Sequence, residues 1–173
     1  MSREDPSIPR DTLRFGTECC LHNVLRYLHG ARSLINDSTL LPQASILFSY
    51  AVEEFGKGIL LRRAYEREEM VSKIVGFYDH KTKLAAAFAE IPPDLLMLHV
   101  GTFQADAFQA DTFDVDRVAG FEARMQSMYI GWDERSRTWT GPTDVDRPTL
   151  SRSIDGVELF VKNKLQEWIW VGS

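Results

Sequence analysis

Cysteine is almost missing from this chain: Cys19 and Cys20 are the whole supply. Adjacent cysteines rarely bridge each other, because the ring they would close is strained. Two thiols cannot build a structural zinc site without two further ligands. The simplest reading makes them two small apolar residues on a helix. Long hydrophobic runs are also absent, and none approaches the roughly 20 residues that span a bilayer. The N-terminus, Met1-Ser2-Arg3-Glu4-Asp5-Pro6, is charged and lacks the apolar stretch of a secretory leader. No membrane association and a cytoplasmic location are therefore expected.

Several catalytic signatures are missing as well. There is no G-x-S-x-G, no G-x-G-x-x-G and no Walker A loop. Gly56-Lys57-Gly58 resembles a phosphate loop only superficially, since it lies in a helical pattern without the upstream glycine. No H-E-x-x-H and no clustered Asp-x-Asp occurs, so no metal and no cofactor is expected. The net charge of −5 argues against a chain-wide footprint for nucleic acid. A local basic span does exist: Lys57, Arg62, Arg63, Arg67, Lys73, Lys81 and Lys83. Solvated helix faces account for it most simply.

What the chain does have is helical periodicity. At 173 residues, with 44% hydrophobic and 26% charged content, it suits one soluble domain with a real core. Residues 1–10, with Pro6 and Pro9, read as a flexible tail, and residues 11–173 as a single domain. Asp11-Thr12 can cap a first helix running to about Gly30. A second runs from Leu41 to about Glu66, and its stripe Ala44, Leu47, Ala51, Glu54, Gly58, Leu61 and Tyr65 repeats in steps of three and four. Apolar residues also occur on the side of Glu53, so this helix is expected at the centre. A third spans about Glu68 to Ala89, with Phe77, His80, Leu84 and Ala87 on one face, and Pro92-Pro93 ends it. Short helices are expected near 95–98 and from Asp114 or Asp116 to Gln126. A small hairpin is expected near 128–141, and a last helix from Pro148 to Val171. The fold class is thus all-α, with four to five main helices.

Against this apolar background, Glu53-Glu54-Phe55-Gly56-Lys57 and Asp79-His80-Lys81 stand out. Polar groups inside a bundle are costly unless paired. Glu53 and Lys57 are four apart, Glu54 and Lys57 three apart, and both spacings let the pairs meet. His80 could reach Glu54 from the next helix. Such a grouping either locks two helices together or supports acid–base chemistry. Exposed Trp132 and Trp139 could alternatively form a partner surface.

Ala51 to Leu61, followed by Asp79 to Leu84, resembles the AbiV-type abortive infection proteins of the HEPN superfamily. Arg124-Met125-Gln126-Ser127-Met128-Tyr129-Ile130, with Trp139 and Pro142 following, is similar to that family too, and the likeness covers roughly residues 20–165. The resemblance implies a HEPN-like bundle, homodimerisation and a role in defence against phage. It implies an effector acting on RNA or the translation machinery, or one answering a phage-encoded protein trigger. Many HEPN proteins are metal-independent ribonucleases with four to six residues between an arginine and the histidine that follows it. Here Arg26 and His29 are separated by only two residues, Arg14 and His22 by seven, and Arg67 lies far from His80. Catalysis is expected of Glu54, Lys57 and His80, with Glu53, Lys83 and Arg63 as binding residues. The alternative is a non-catalytic helical module in which the Glu–Lys–His group is structural.

Overall fold

A computed structural model of the protein describes residues 8–67, 74–96, 131–133, 138–140 and 146–170. Residues 1–7 of the tail expected over 1–10, the short helix through Gln126, and the loop side chains around the hairpin lie outside these residues, as do the side chains of Trp132 and Trp139; Arg10, the end of that expected tail, already belongs to α1. Four α-helices are described: α1 (Arg10–Leu34), α2 (Leu41–Glu66), α3 (His80–Phe88) and α4 (Arg147–Trp170). Short 3₁₀ turns occupy Ser38–Leu40 and Pro93–Leu95. Two three-residue strands, β1 (Gly131–Asp133) and β2 (Thr138–Thr140), pair antiparallel with Trp132 opposite Trp139. No described helix is long and apolar enough to cross a membrane.

Helix α2 is central. It packs along α1 and meets α3 and α4, while α1 and α4 also touch. The reason lies in its apolar residues, which point to more than one side. Phe48, Phe55 and Ile59 join Leu21, Val24 and Leu28 of α1 and Leu150, Ile154, Val157 and Val161 of α4 in one core. Each large side chain fully buried there stabilises by about 1.5–3 kcal/mol. A smaller cluster at one end holds Leu13, Cys20, Leu61 and Ala64, with Tyr65, Ile74 and Phe77 against it. On the surface, Arg32 of α1 joins Asp155 and, at 2.6 Å, Glu158 of α4.

The helix ends differ from the sequence-based expectations in ways that local chemistry explains. Helix α1 runs one turn past Gly30, to Leu34. Its cap is Pro9 rather than Asp11-Thr12: the Pro9 carbonyl accepts from the amides of Thr12 and Leu13 at 3.0 and 3.3 Å. Proline at that position fits the entry of a helix, because its φ is already set. Asp37 caps the 3₁₀ turn by accepting from the Thr39 amide at 2.9 Å.

The largest correction concerns α3, which begins at His80 and not near Glu68. Gly76 has φ of +77°, a conformation that β-carbons disfavour and helices do not contain. A β-carbon there would fall 2.2 Å from Cγ2 of Thr82. The chain therefore turns over 75–78, and Asp79, in extended conformation, starts a new helix. Its carboxylate accepts from the Thr82 amide at 2.8 Å and from the Thr82 hydroxyl, which holds its pKa below the usual carboxylate range. Phe77 consequently sits in the turn and packs into the small cluster instead of lining a face of α3.

Gly56 is what lets α3 lie so close to α2. A β-carbon at this position would sit 1.8 Å from the backbone carbonyl oxygen of Lys83. A carbonyl in a helix cannot swing aside as a side-chain tip can. Replacing Gly56 with alanine should destabilise the protein by about 3 kcal/mol or more, since overpacking here moves backbone. Chemical denaturation of Gly56→Ala measures this, and a loss under about 1 kcal/mol would mean that α3 shifts freely.

Candidate functional site

Two neighbouring acids on one helix point about 100° apart. Glu53 and Glu54 therefore serve different helices. Glu53 faces α3, where its Oε1 meets Nζ of Lys83 at 2.7 Å and Nδ1 of His80 at 2.8 Å. Lys83 and His80 are three apart on α3, so one turn of helix presents both to the same carboxylate. The Lys83 side chain is only 7% exposed and that of Glu53 12%, whereas His80 is 54% exposed. The pair at the bottom is thus sheltered and the imidazole at the rim is wet.

Glu54 faces α1. Its Oε2 accepts from Nζ of Lys57 at 2.6 Å, one turn further along α2. Its Oε1 accepts from Nδ2 of Asn23 at 3.3 Å, and Asn23 Oδ1 in turn accepts from Arg26 at 3.4 Å. The buried Cys20 thiol also hydrogen-bonds this carboxylate. Burial, then the neighbouring Glu54 charge, push that thiol up to about 12. It is a small, unreactive donor. Burial on its own lowers the pKa of Lys57. The hydrogen bond to Glu54, followed by the charge of Glu54 and, more weakly, of Glu53, outweighs it, so the amine titrates above the ordinary lysine value. Nζ of Lys57 also lies 5.7 Å from the centre of the Phe77 ring, within cation–π range.

The sequence-based grouping of Glu54, Lys57 and His80 is therefore divided. Glu54 and Lys57 are together, but His80 meets Glu53, because α3 lies on the Glu53 side of α2. Lys83, expected to bind a ligand, is buried against Glu53. Arg63 lies apart in an exposed pair with Glu90 at 3.4 Å. Asn23 and Cys20 complete the Glu54 network; the sequence reading takes Cys20 for a small apolar residue and does not single out Asn23. Cys19 and Cys20 are both free thiols. Among the described residues, no cluster of three His, Cys, Asp or Glu side chains could hold a metal ion.

The basic span also looks different once folded. Lys57 pairs with Glu54, Arg62 with Glu66 at 2.6 Å, Arg63 with Glu90 and Lys83 with Glu53. These four cations carry their own counter-charges. Arg62 further lies over the rings of Tyr65 and Trp168, and Arg10 lies 4.4 Å over Tyr65, so part of this charge binds α2 to its neighbours. A polyanion would meet little net charge along these residues, and a phosphate would compete with their carboxylates for each cation.

Two outcomes follow for the Glu54 network. Glu54→Ala strands the Lys57 amine and the Asn23 amide, and should destabilise by about 2–4 kcal/mol in urea unfolding; full stability would rule out the network as a clamp between α1 and α2. The pKa values of Cys20 and Lys57 are both raised on folding, so each contributes stability below its unfolded value and loses it as pH rises through its folded one. For Cys20 that window runs from about 9 to about 12. Unfolding free energy should decline across it, and iodoacetamide should label Cys20 in the native protein far more slowly than in the denatured one. Equal labelling would place the thiol in water.

A sequence model of the AbiV family, of the HEPN type, matches residues 12–162. No curated protein and no solved structure matches the chain. The matched segment begins in α1, contains both acidic networks and ends within α4. It covers the larger part of the 173 residues, and the chain belongs to the AbiV family of HEPN proteins.

Proposed function

We propose that this abortive-infection-type HEPN protein is an effector that cuts RNA without a metal ion, using His80 for proton transfer. The observation that carries the reading is the Glu53–His80 pair. A buried carboxylate holds Nδ1 at 2.8 Å, while more than half of the imidazole faces solvent. A base oriented by a carboxylate is the usual arrangement for general acid–base catalysis. In this reading Glu53, and not Glu54, orients the imidazole. Lys57, held cationic by Glu54, lies one turn along α2 from Glu53 and supplies positive charge for a phosphate. The family's arginine-to-histidine spacing is absent from the sequence, so orientation of the imidazole falls to Glu53. In this reading the chain works in the cytoplasm as a homodimer, and a phage-encoded protein triggers it.

The second reading is a non-catalytic module, favoured by the way both carboxylates are matched to lysines. Under it the two networks only hold α1 and α3 against α2.

The two readings separate in one experiment. Purified protein is incubated with total RNA in excess chelator, beside His80→Ala. The wild type should cleave, and the variant should lose about 10²–10⁴-fold in rate. Because His80 is half exposed, its melting temperature should stay close to that of the wild type. Cleavage by His80→Ala at the wild-type rate would remove the histidine from the mechanism, and an inert wild type would favour the structural module.

A further inference from the structure

We infer that Tyr78 is a specificity-determining residue, whose exposed ring stacks against an unpaired base of the RNA. The inference deepens the reading of His80 above and rests on it for any consequence in cleavage. Tyr78 and Val75 are 87% and 81% exposed, more than any other large hydrophobic side chain among the described residues. Both stand in the 75–78 turn, and only Asp79 separates Tyr78 from His80. α-Carbons two positions apart lie within about 7 Å of each other. The ring and the imidazole can therefore address one nucleotide, or two in succession.

A single exposed aromatic is ordinary, but this one stands on a fixed base. The turn beneath it is closed by two backbone hydrogen bonds. The Phe77 amide donates to the Ile74 carbonyl at 3.3 Å, and the Asp79 amide to the Gly76 carbonyl at 3.0 Å. Gly76 lies against Thr82 of α3, whose amide Asp79 caps. The Tyr78 ring meets that of Phe77 edge to face, with centroids 5.2 Å apart and planes at 87°. A perpendicular contact covers at most one face of a ring, and the rest of Tyr78 is in water. Phe77 is itself packed against the small cluster and lies beneath the Lys57 amine. A base would meet a ring already in place, so stacking costs little ordering.

The charges around the ring favour a base as its occupant. Lys57 carries Glu54, and His80 carries Glu53, so phosphate contacts alone gain little here. A substrate then needs an uncharged source of affinity beside these groups. Every base has a flat π face, and aromatic side chains hold unpaired bases through it. In a duplex the bases are already stacked on each other, so such a ring selects single strands. An apolar protein face would need a broad patch. Two side chains bordered by Asp79 and His80 do not make one.

The test measures binding of the full chain to a fluorescent single-stranded 2′-O-methyl oligonucleotide, which has no 2′ hydroxyl to react and stays whole. Tyr78→Ala should weaken binding about 5- to 100-fold. Its melting temperature and the salt dependence of its affinity should match the wild type, since the ring is exposed and uncharged. Tyr78→Phe keeps the flat face and should bind as the wild type does. Should Tyr78→Ala fail to fold, Tyr78→Leu keeps an apolar contact to Phe77 without a ring, and should show the same loss. Annealing the oligonucleotide to its complement should abolish the difference between wild type and variant. In cleavage of single-stranded RNA the loss should appear in KM and not in kcat. A folded Ala or Leu variant that binds as tightly as the wild type overturns the inference, as does a Phe variant as weak as they are. So does a wild type that binds no oligonucleotide, which would leave the ring to an apolar protein partner. If the ring governs binding but the wild type cleaves no RNA, the ribonuclease reading fails and the base platform stands. If the wild type cleaves and the variants bind normally, the platform fails and the ribonuclease reading stands.

Discussion

A carboxylate carried out of water must be matched by charge and hydrogen bonds, or it costs several kcal/mol. Glu53 is that carboxylate here, and Lys83 is its match. The rest of the α2–α3 contact depends on this pair. Lys83 can reach Glu53 only because its own backbone lies where a β-carbon of residue 56 would be. His80 can reach Glu53 only because it stands one turn before Lys83. Acid, glycine and lysine are therefore one device, and the histidine is held at its rim.

That device also explains why α3 is short. A continuous helix from Glu68 to Ala89 would carry the chain through 75–78 without a turn, and Phe77 would lie on the α3 surface. Instead Gly76 reverses the backbone, Asp79 caps a fresh helix and Phe77 drops against Leu61 and the Lys57 amine. The cap matters twice. It satisfies amides at the start of α3, and it places His80 at the first helical position, where the chain is still near solvent. A histidine one turn further on, at the position of Leu84, would be buried.

Much of this was legible in the sequence, and the failures have identifiable causes. The periodicity of residues 41–66 marked α2 and its central place, because apolar residues on two sides need two partners. The polar intrusion at 53–57 was visible because charges in such a stripe demand an explanation. The pairing was not. From spacing alone Glu53 and Glu54 are both within reach of Lys57, and nothing in one helix says on which side its neighbour will dock. The side of docking was written in Gly56, but a lone glycine in a helix does not announce a close approach. The start of α3 is hidden for a similar reason: helical periodicity runs through Gly76 in the sequence, although a glycine three residues before an Asp-x-x-Thr cap is a legitimate stop signal. Asn23 gave no signal, since a polar residue on a half-buried face is usually just solvated.

The two acidic networks, though adjacent, are built for different ends. Glu54 has three donors about it, from Lys57, Asn23 and Cys20, and none of them is an ordinary proton carrier near neutral pH. Such a carboxylate is suited to hold helices. Glu53 differs in having a histidine among its partners, the side chain whose charge changes nearest to neutrality. The sheltered lysine below and the wet imidazole above make Glu53 a link between the core and the surface. In the ribonuclease reading proposed above, the proton moves on the Glu53 side, while the Glu54 side keeps α1 and the Lys57 charge in place. Lys57 belongs to both, as it feels Glu54 directly and Glu53 at longer range. A change at either Glu53 or Glu54 is therefore felt at Lys57.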